Sequence, residues 1–530
     1  MYHLQDNHFM HHHQSRTLGK GVSMGLYDFT FYDVITSHAR QFRNQPAWHE
    51  DATHATTTFG QYKDRVDRLA AGLNQLGVSK GDRIAVVAQN SLAFFTIYGA
   101  AAALGAMVVA VNRRLRPDEV LFNVNDCASK VLFGNSEFLK PLADKPELQT
   151  HVAHIYTLDS DASDYPAIDT LMARETAIPT NQAAADDPLV IIHTAAVSGE
   201  PRGAMLTHAN ALYACLQLAV EFGEYASRPH LNLLPLFHVA GLFMALQAFC
   251  SGGLNVNMTR FDAERAAVLI DAKKTATLFT FPPILEAILE AQSKNNADIS
   301  ALKCVVGLEA PDMIQRYETV TGGAFRAIYG QTEASGFTTL SPYQQKPGSA
   351  GRPVPLARVE LFDAHDKPVA QGEIGEIVQR GPLVFKGYWN RREDNAAAFA
   401  NGWHHTGDLG RFDEEGYLWY EGRKADKELI KPGGENVYPA EVEQTILRHP
   451  AVEHVVVFGV PDSKWKEAIM AVCQLKADAS LTEKELIDFV GAKIARYKKP
   501  HQVKFVQTLP TDKEGAVDRE AVKKRLGAPS

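Results

Sequence analysis

The sequence predicts an α/β fold of layered, substantially parallel sheets, followed by a smaller α+β unit. Three observations carry this. From about residue 25 to 420, short apolar runs alternate with helix-length segments, the pattern of buried strands joined by helical crossovers. After residue 340 the runs crowd together between glycines, as in a β-rich subdomain. Beyond residues 422–427 a separate mixture of helices and strands begins. At 530 residues the chain also exceeds the ~250–300 at which a single core stops growing.

Taken in order, 83–88 (RIAVVA), 188–193 (PLVIIH), 276–279 (ATLF) and 303–306 (KCVV) read as buried strands, with helices at 61–76 and 262–273 between them. Residues 92–111 carry no charge over 20 positions, a length that raises the question of a membrane span. Gly105 divides that stretch into an Ala-rich helix and a β-branched strand from Met107 to Val111. The apolar stretch 231–254 is broken by Pro235, His238 and Gly241. Both therefore read as soluble core. ARVELFD, GEIGEIVQR and GYLWYEG are the glycine-bounded strands. In the last unit Pro439 opens a helix, and Thr482 with Glu485 three residues on forms a capping box for another.

The 54 basic and 62 acidic residues leave a net charge of −8, which excludes a general nucleic-acid binder with its basic surface. The densest basic run, Arg496, Lys498 and Lys499, reads as a short solvated turn that a ligand phosphate could also use. Five scattered cysteines without a CxxC pair indicate reduced thiols and a cytoplasmic protein. No zinc site is indicated. Residues 1–24, with His11, His12 and His13, lack hydrophobic periodicity and a signal-peptide pattern. They read as a disordered extension, with Met24 an alternative start.

Four segments carry chemistry. In TAAVSGEPRG (194–203) a loop follows a strand and is expected to lead into a helix; Thr194 and Ser198 offer hydroxyls, and Gly199 and Gly203 permit close backbone approach to phosphate. A plain connecting turn has the same appearance. In YGQTEASG (329–336) Tyr329 could stack a planar base, Thr332 could donate to phosphate, and Glu333 is a hard oxygen ligand for Mg²⁺. WHHTGDLG (403–410) puts Asp408 in a tight turn suited to a ribose diol. In EGRKADKELIKPGGENVYPAEVE (421–443), Arg423 has five fixed donors for ribose or phosphate oxygens. Asp426 lies at the expected hinge, and Gly433-Gly434 allow a backbone turn beside a ligand.

In this order and spacing the segments resemble the adenylate-forming superfamily, which holds acyl-CoA and aryl-CoA synthetases, nonribosomal adenylation domains and beetle luciferases. The resemblance runs from about residue 28 to 525, and PLFHVAGL (235–242) extends it. It implies a large multi-sheet N-terminal domain (25–422) and a small mobile α+β C-terminal domain (423–530). Nucleotide contacts would come from Thr194, Ser198, Gly199 and Arg202; from Gly307, Glu309 and Ala310 of VVGLEAP; from Tyr329, Gly330, Gln331 and Thr332; and from Asp408, Tyr420 and Arg423. Glu333 would hold Mg²⁺ and Asp426 would be the pivot. Gly433, Gly434 and Glu435 would face CoA. His238 would act as a gate or pantetheine contact, although a buried structural histidine fits it equally.

Two positions depart from the family pattern. The phosphate loop usually reads T-S-G-T-T-G-x-P-K-G; here Ala195, Ala196 and Val197 replace residues with hydroxyls or no side chain, and Arg202 replaces lysine. Near the C-terminus, Ala516 stands where the family's adenylation lysine belongs, with Lys513 three residues earlier. The implied function is an ATP-dependent acid–CoA ligase that uses Mg²⁺, ATP, CoA and a small carboxylic acid, with a homodimer left open. Transfer to a carrier-protein thiol, oxidative chemistry, and a catalytically impaired relative that binds nucleotide or acyl-CoA also remain open. Apolar segments with Phe237, Leu242 and Phe243 point to a medium-chain, alicyclic or aromatic acid.

Overall fold

The computed structural model describes residues 25–150, 152–159, 164–173, 183–194, 200–424, 428–432, 435–462, 466–511 and 517–526. The expected extension 1–24, and Ser198, Gly199, Asp426, Gly433, Gly434, Lys513 and Ala516, lie outside them.

Among the described residues the strands form four sheets. A seven-stranded sheet has five mutually parallel strands, Arg83–Val87, Met107–Ala110, Val131–Gly134, His154–Thr157 and Pro188–Thr194, with His154–Thr157 at its edge. An eight-stranded sheet includes Thr277–Thr280, Cys304–Gly307 and Ala324–Tyr329, also parallel to one another. Arg358–Phe362, Gly375–Arg380, His404–Phe412 and Leu418–Arg423 make an antiparallel sheet of four. The C-terminal unit has three strands, Val452–Asp462, Lys466–Leu475 and Gln502–Val506. The expected α/β architecture with a smaller α+β unit is what the chain adopts.

The two large sheets share one hydrophobic core. Ile84, Val86, Val108 and Ile192 of one and Phe279, Val306 and Ile328 of the other join a single buried cluster with residues of the helices between them. Leu92–Leu104 has no polar face, and eleven of its residues are buried, as expected for a helix apolar all round. Each fully buried aromatic or aliphatic side chain there contributes roughly 1.5–3 kcal/mol. The polar tip of Tyr98 is satisfied by the Leu236 carbonyl at 2.9 Å. Gly105 ends this helix at φ +69°, a left-handed cap that a side chain would strain, and the strand Met107–Ala110 follows. No described helix is long and apolar enough to cross a membrane.

Two local expectations are corrected. The phosphate-loop segment does not run into a helix. Arg202–Thr207 is a strand returning antiparallel to Pro188–Thr194, with Thr194 paired to Arg202. The helix His208–Phe222 starts only after it, with Thr207 capping the Asn210 amide. Thr207, which caps that helix, pairs with Pro188 at the opposite end of the hairpin from Thr194, so the expected helix dipole does not sit at the Thr194 end of the strand. Asp408 lies inside the strand His404–Phe412 rather than in a turn. Pairing shifts register between Glu376 and Val378, and Gly407 takes φ +74°. A bulge has absorbed the irregularity that the TGD sequence suggested.

Candidate active site

The parallel strands place their carboxyl ends together, where open α/β sheets bind ligands. Thr194 is the last residue of its strand in the seven-stranded sheet. Glu333 follows Ala324–Tyr329 in the eight-stranded sheet. The Thr194 hydroxyl donates to Glu333 Oε1 at 2.8 Å, which ties the two sheets' ends together. Tyr388 donates to the same oxygen at 3.0 Å. Gly307 ends the strand beside Ala324–Tyr329; Glu309 accepts from the Thr280 hydroxyl at 3.2 Å, and Ala310 caps the helix Pro311–Thr321.

Asp408 collects the other motifs. It accepts hydrogen bonds from the Tyr329 hydroxyl at 2.8 Å and from Gln331 Nε2, while Arg423 Nε lies 2.6 Å from Oδ1. The last contact follows from register, since Asp408 and Arg423 face each other across adjacent strands. Tyr420 reaches Oδ1 at 3.5 Å, and its ring stacks on Tyr329 with centroids 6.1 Å apart. Arg423 also donates to Tyr438 at 3.0 Å. Burial opposes the Arg423 charge, but Asp408, then Tyr438 and Tyr420, outweigh it and hold the guanidinium above its ordinary pKa. One layer behind, Glu376 supports the bulge by accepting from the Gly407 amide, His405 and Lys424. Burial raises its pKa, yet those bonds prevail and hold it at about 2.

Glu435 of the C-terminal unit reaches the large body. It lies 2.7 Å from Arg114 and 3.5 Å from His238, and Asn112 donates to it at 3.4 Å. Burial pushes this carboxyl up, but His238 and Arg114 overcome it and hold it at about 2. His238 is itself 40% exposed and sits at the N-cap of Val239–Cys250, so it is not a core histidine.

One reading of a single residue changes. Lys498 is no part of a solvated turn: its side chain is 4% exposed and bridges Glu119 and Glu441 at 2.7 and 2.5 Å. Arg202 is held by Asp394 at 2.7 Å and by the Tyr388 hydroxyl at 3.2 Å. Phe237, Leu242 and Phe243 are all within 1% of complete burial in the large core. Asp126, Cys127 and His193 lie close together, with the Asp126 oxygens engaged by Arg391 at 2.8 Å and His193 at 3.2 Å. Sequence reasoning passed over Tyr388, Tyr438, Arg114 and Glu376 as partners of the site. The tyrosine in GYWN and the Arg113-Arg114 pair after a buried strand were the available signals.

Residues 35–389 match the AMP-binding enzyme family, and residues 441–516 match the AMP-binding enzyme C-terminal domain. The chain belongs to this family. A feruloyl-CoA synthase of an Amycolatopsis species is 33% identical over 480 residues, spanning 89% of this chain and 94% of the relative. A long-chain-fatty-acid–CoA ligase of Mycobacterium tuberculosis is 31% identical, spanning 91% and 95%. Among solved structures, o-succinylbenzoate CoA synthetase from Bacillus subtilis, bound to a product analogue, superposes with a TM-score of 0.83 at 28% identity, covering 94% of this chain and 99% of that one. The amide bond synthetase McbA from Marinactinospora thermotolerans, at 22% identity and TM-score 0.84 over 94% of this chain and all of that one, shares the fold. The protein is thus an adenylate-forming enzyme of the AMP-forming acid–CoA ligase class.

Proposed function

We propose that this family member activates a carboxylic acid as its acyl-adenylate and passes the acyl group to CoA. The observation that carries the reading is the single hydrogen-bonded cluster in which Asp408 engages Tyr329, Gln331 and Arg423. Asp408 and Arg423 hold the ribose of ATP, Tyr329 and Tyr420 flank the base, and Thr332 contacts the α-phosphate. The substrate carboxylate attacks the α-phosphorus, and the bond to the β-phosphate oxygen breaks to release pyrophosphate. Positioning and charge neutralisation supply most of the rate.

The residues present fit a hard cation: Glu333 has one oxygen occupied by Thr194 and Tyr388, and no described residue donates to the other. Glu333 would hold Mg²⁺ through that oxygen, and the bound ion would neutralise phosphate charge.

In the second half-reaction the CoA thiolate attacks the acyl carbonyl and expels AMP. The C-terminal unit, turning about Asp426 as a hinge, brings Gly433, Gly434 and Glu435 to this face. The contact of Glu435 with His238 and Arg114 supports that arrangement. We take 25–422 and 423–530 as the two moving bodies and the cytoplasm as the site of action. The relatives named above are a feruloyl-CoA synthase, a long-chain-fatty-acid–CoA ligase and an o-succinylbenzoate CoA synthetase, so aromatic and longer aliphatic acids come first in a substrate panel.

One observation favours a second reading, in which adenylation is the weakened half. Arg202, the cation at the end of the phosphate loop, is already held by Asp394 and Tyr388, and Ala516 supplies no charge. Incubation with ATP, Mg²⁺, CoA and the acid panel, with products followed by mass, tests both. AMP with a CoA thioester is expected. ADP would overturn the α-phosphorus chemistry, and tight AMP or acyl-CoA binding without turnover would establish the impaired relative instead.

A further inference from the structure

Glu333 Oε1 has no capacity left. The Thr194 and Tyr388 hydroxyls both donate to it, at 2.8 and 3.0 Å, and a carboxylate oxygen has two lone-pair sites. The direction of the Tyr388 proton is fixed from behind. Arg202 Nη2 donates to the phenol oxygen at 3.2 Å, and its guanidinium carbon lies 4.1 Å from the ring centroid. A guanidinium has donors only. The phenol must therefore accept from Arg202, and its single proton is left for Glu333.

The parts of this relay are anchored on both sides. Asp394 holds Arg202 at 2.7 Å. Gly387–Tyr388 forms a short strand paired with Met205 and Ala204, and the Trp389 amide donates to the Gly203 carbonyl at 2.8 Å. Asn395 accepts from the Tyr388 amide at 2.6 Å. Tyr388 is 5% exposed, so water does not compete for its hydroxyl.

We propose that Tyr388, aimed by Arg202, is a positioning residue that occupies Oε1 of Glu333, so that this carboxylate offers a divalent cation Oε2 alone and the site favours Mg²⁺ over Ca²⁺. The proposal rests on Glu333 as the cation ligand. Its chemistry follows from the ions. Mg²⁺ takes single oxygens in a tight octahedron, whereas Ca²⁺ readily takes both oxygens of one carboxylate in a looser shell. Occupying one oxygen removes the arrangement that suits the larger ion. It also gives Arg202 a task at the loop's stem, separate from gripping phosphate.

The test uses the full chain with α,β-methylene-ATP bound and Mn²⁺ as an EPR probe, displaced in turn by Mg²⁺ and Ca²⁺. Tyr388→Phe removes one donor. One neutral hydrogen bond is worth about 0.5–1.5 kcal/mol, or about two- to tenfold, and the ratio of Ca²⁺ to Mg²⁺ affinity should rise by that factor. Thr194→Val removes the other donor and should move the ratio the same way, which keeps the test open if Tyr388→Phe folds poorly. Arg202→Met should shift it in the same direction by a smaller factor. In turnover, the Mg²⁺ concentration for half-maximal pyrophosphate release should rise while KM for the acid stays constant, a split that general loosening would not produce. An unchanged ratio in folded Tyr388→Phe and Thr194→Val overturns the inference. Glu333→Gln is the separate control: if it leaves Mn²⁺ binding intact, the reading of Glu333 as cation ligand fails first.

Discussion

Replacing Lys498 by methionine should uncouple the C-terminal unit from the large body. The ammonium lies 2.7 Å from Glu119 and 2.5 Å from Glu441, residues of the two different units. The lysine side chain is 4% exposed and its partners 15% and 12%, so water screens the three charges weakly. Burial works against the Lys498 charge, but Glu441 and Glu119 outweigh it and hold its pKa above the ordinary value. Methionine fills similar volume but leaves two carboxylates facing each other. Removing one partner of a buried ion pair costs about 3–5 kcal/mol. Here the chain can escape by swinging the units apart and wetting both glutamates, so the cost falls on docking rather than on folding. At about 1.4 kcal/mol per decade, the docked fraction should drop by roughly two to three and a half decades relative to the undocked one.

Single-turnover kinetics read this directly. Transfer from pre-formed acyl-adenylate to CoA should slow by up to that factor, while pyrophosphate release changes less than about threefold. Dyes on one surface residue of each unit should report increased separation by energy transfer. Adding Glu119→Gln and Glu441→Gln should restore most of the transfer rate, because the uncompensated charges are then gone. Unchanged transfer kinetics in folded Lys498→Met would refute the reasoning, as would equal slowing of both half-reactions.

Three further outcomes follow from the site. Asp408→Asn keeps the shape but removes the charge beside Arg423; charge-assisted hydrogen bonds are worth about 1.5–3 kcal/mol, so AMP affinity by calorimetry should fall about 10- to 100-fold. Glu376 has its folded pKa lowered from 4.5 to about 2, so its stabilising contribution is present above pH 4.5 and is lost as pH falls towards 2. Because its partner Lys424 is 37% exposed, we discount the full shift for solvent screening to about 1–2 kcal/mol. Glu376→Gln should therefore be less stable to urea than the parent at pH 7, and the gap should narrow below pH 4.5 and close only as pH approaches 2. Ala516→Lys should restore a cation at the position implied by the family pattern and speed pyrophosphate release by about 10²–10³. An unchanged rate would show that another group already serves there.

The layered fold was readable because it rests on local patterning. Residues 92–111 show this well. Period and length could not separate a membrane span from a buried helix and strand, but the glycine at 105 did, and the chain turns there at φ +69°. The loop at 194–203 shows the limit. Residues 202–207 carry no signal that distinguishes a return strand from the first turns of a helix. Its pairing with Pro188–Thr194 and with Gly387–Tyr388 decides the matter. Lys498 fails for a related reason. A basic run reads as solvent-facing unless its counter-charges are known, and one of them lies 379 positions away.

What the sequence determined by itself was the succession of strands and helices, the identity of the four chemistry-bearing segments and their order. Those depend on residue type and short spacing. Tertiary structure alone decided which atoms meet: that Asp408 faces Arg423 by strand register, that Tyr388 takes an oxygen of Glu333, and that Glu435 comes to rest against His238. Such contacts join residues tens to hundreds of positions apart, and no local propensity encodes them. They exist because packing two sheets on a common core brings their carboxyl ends to one edge.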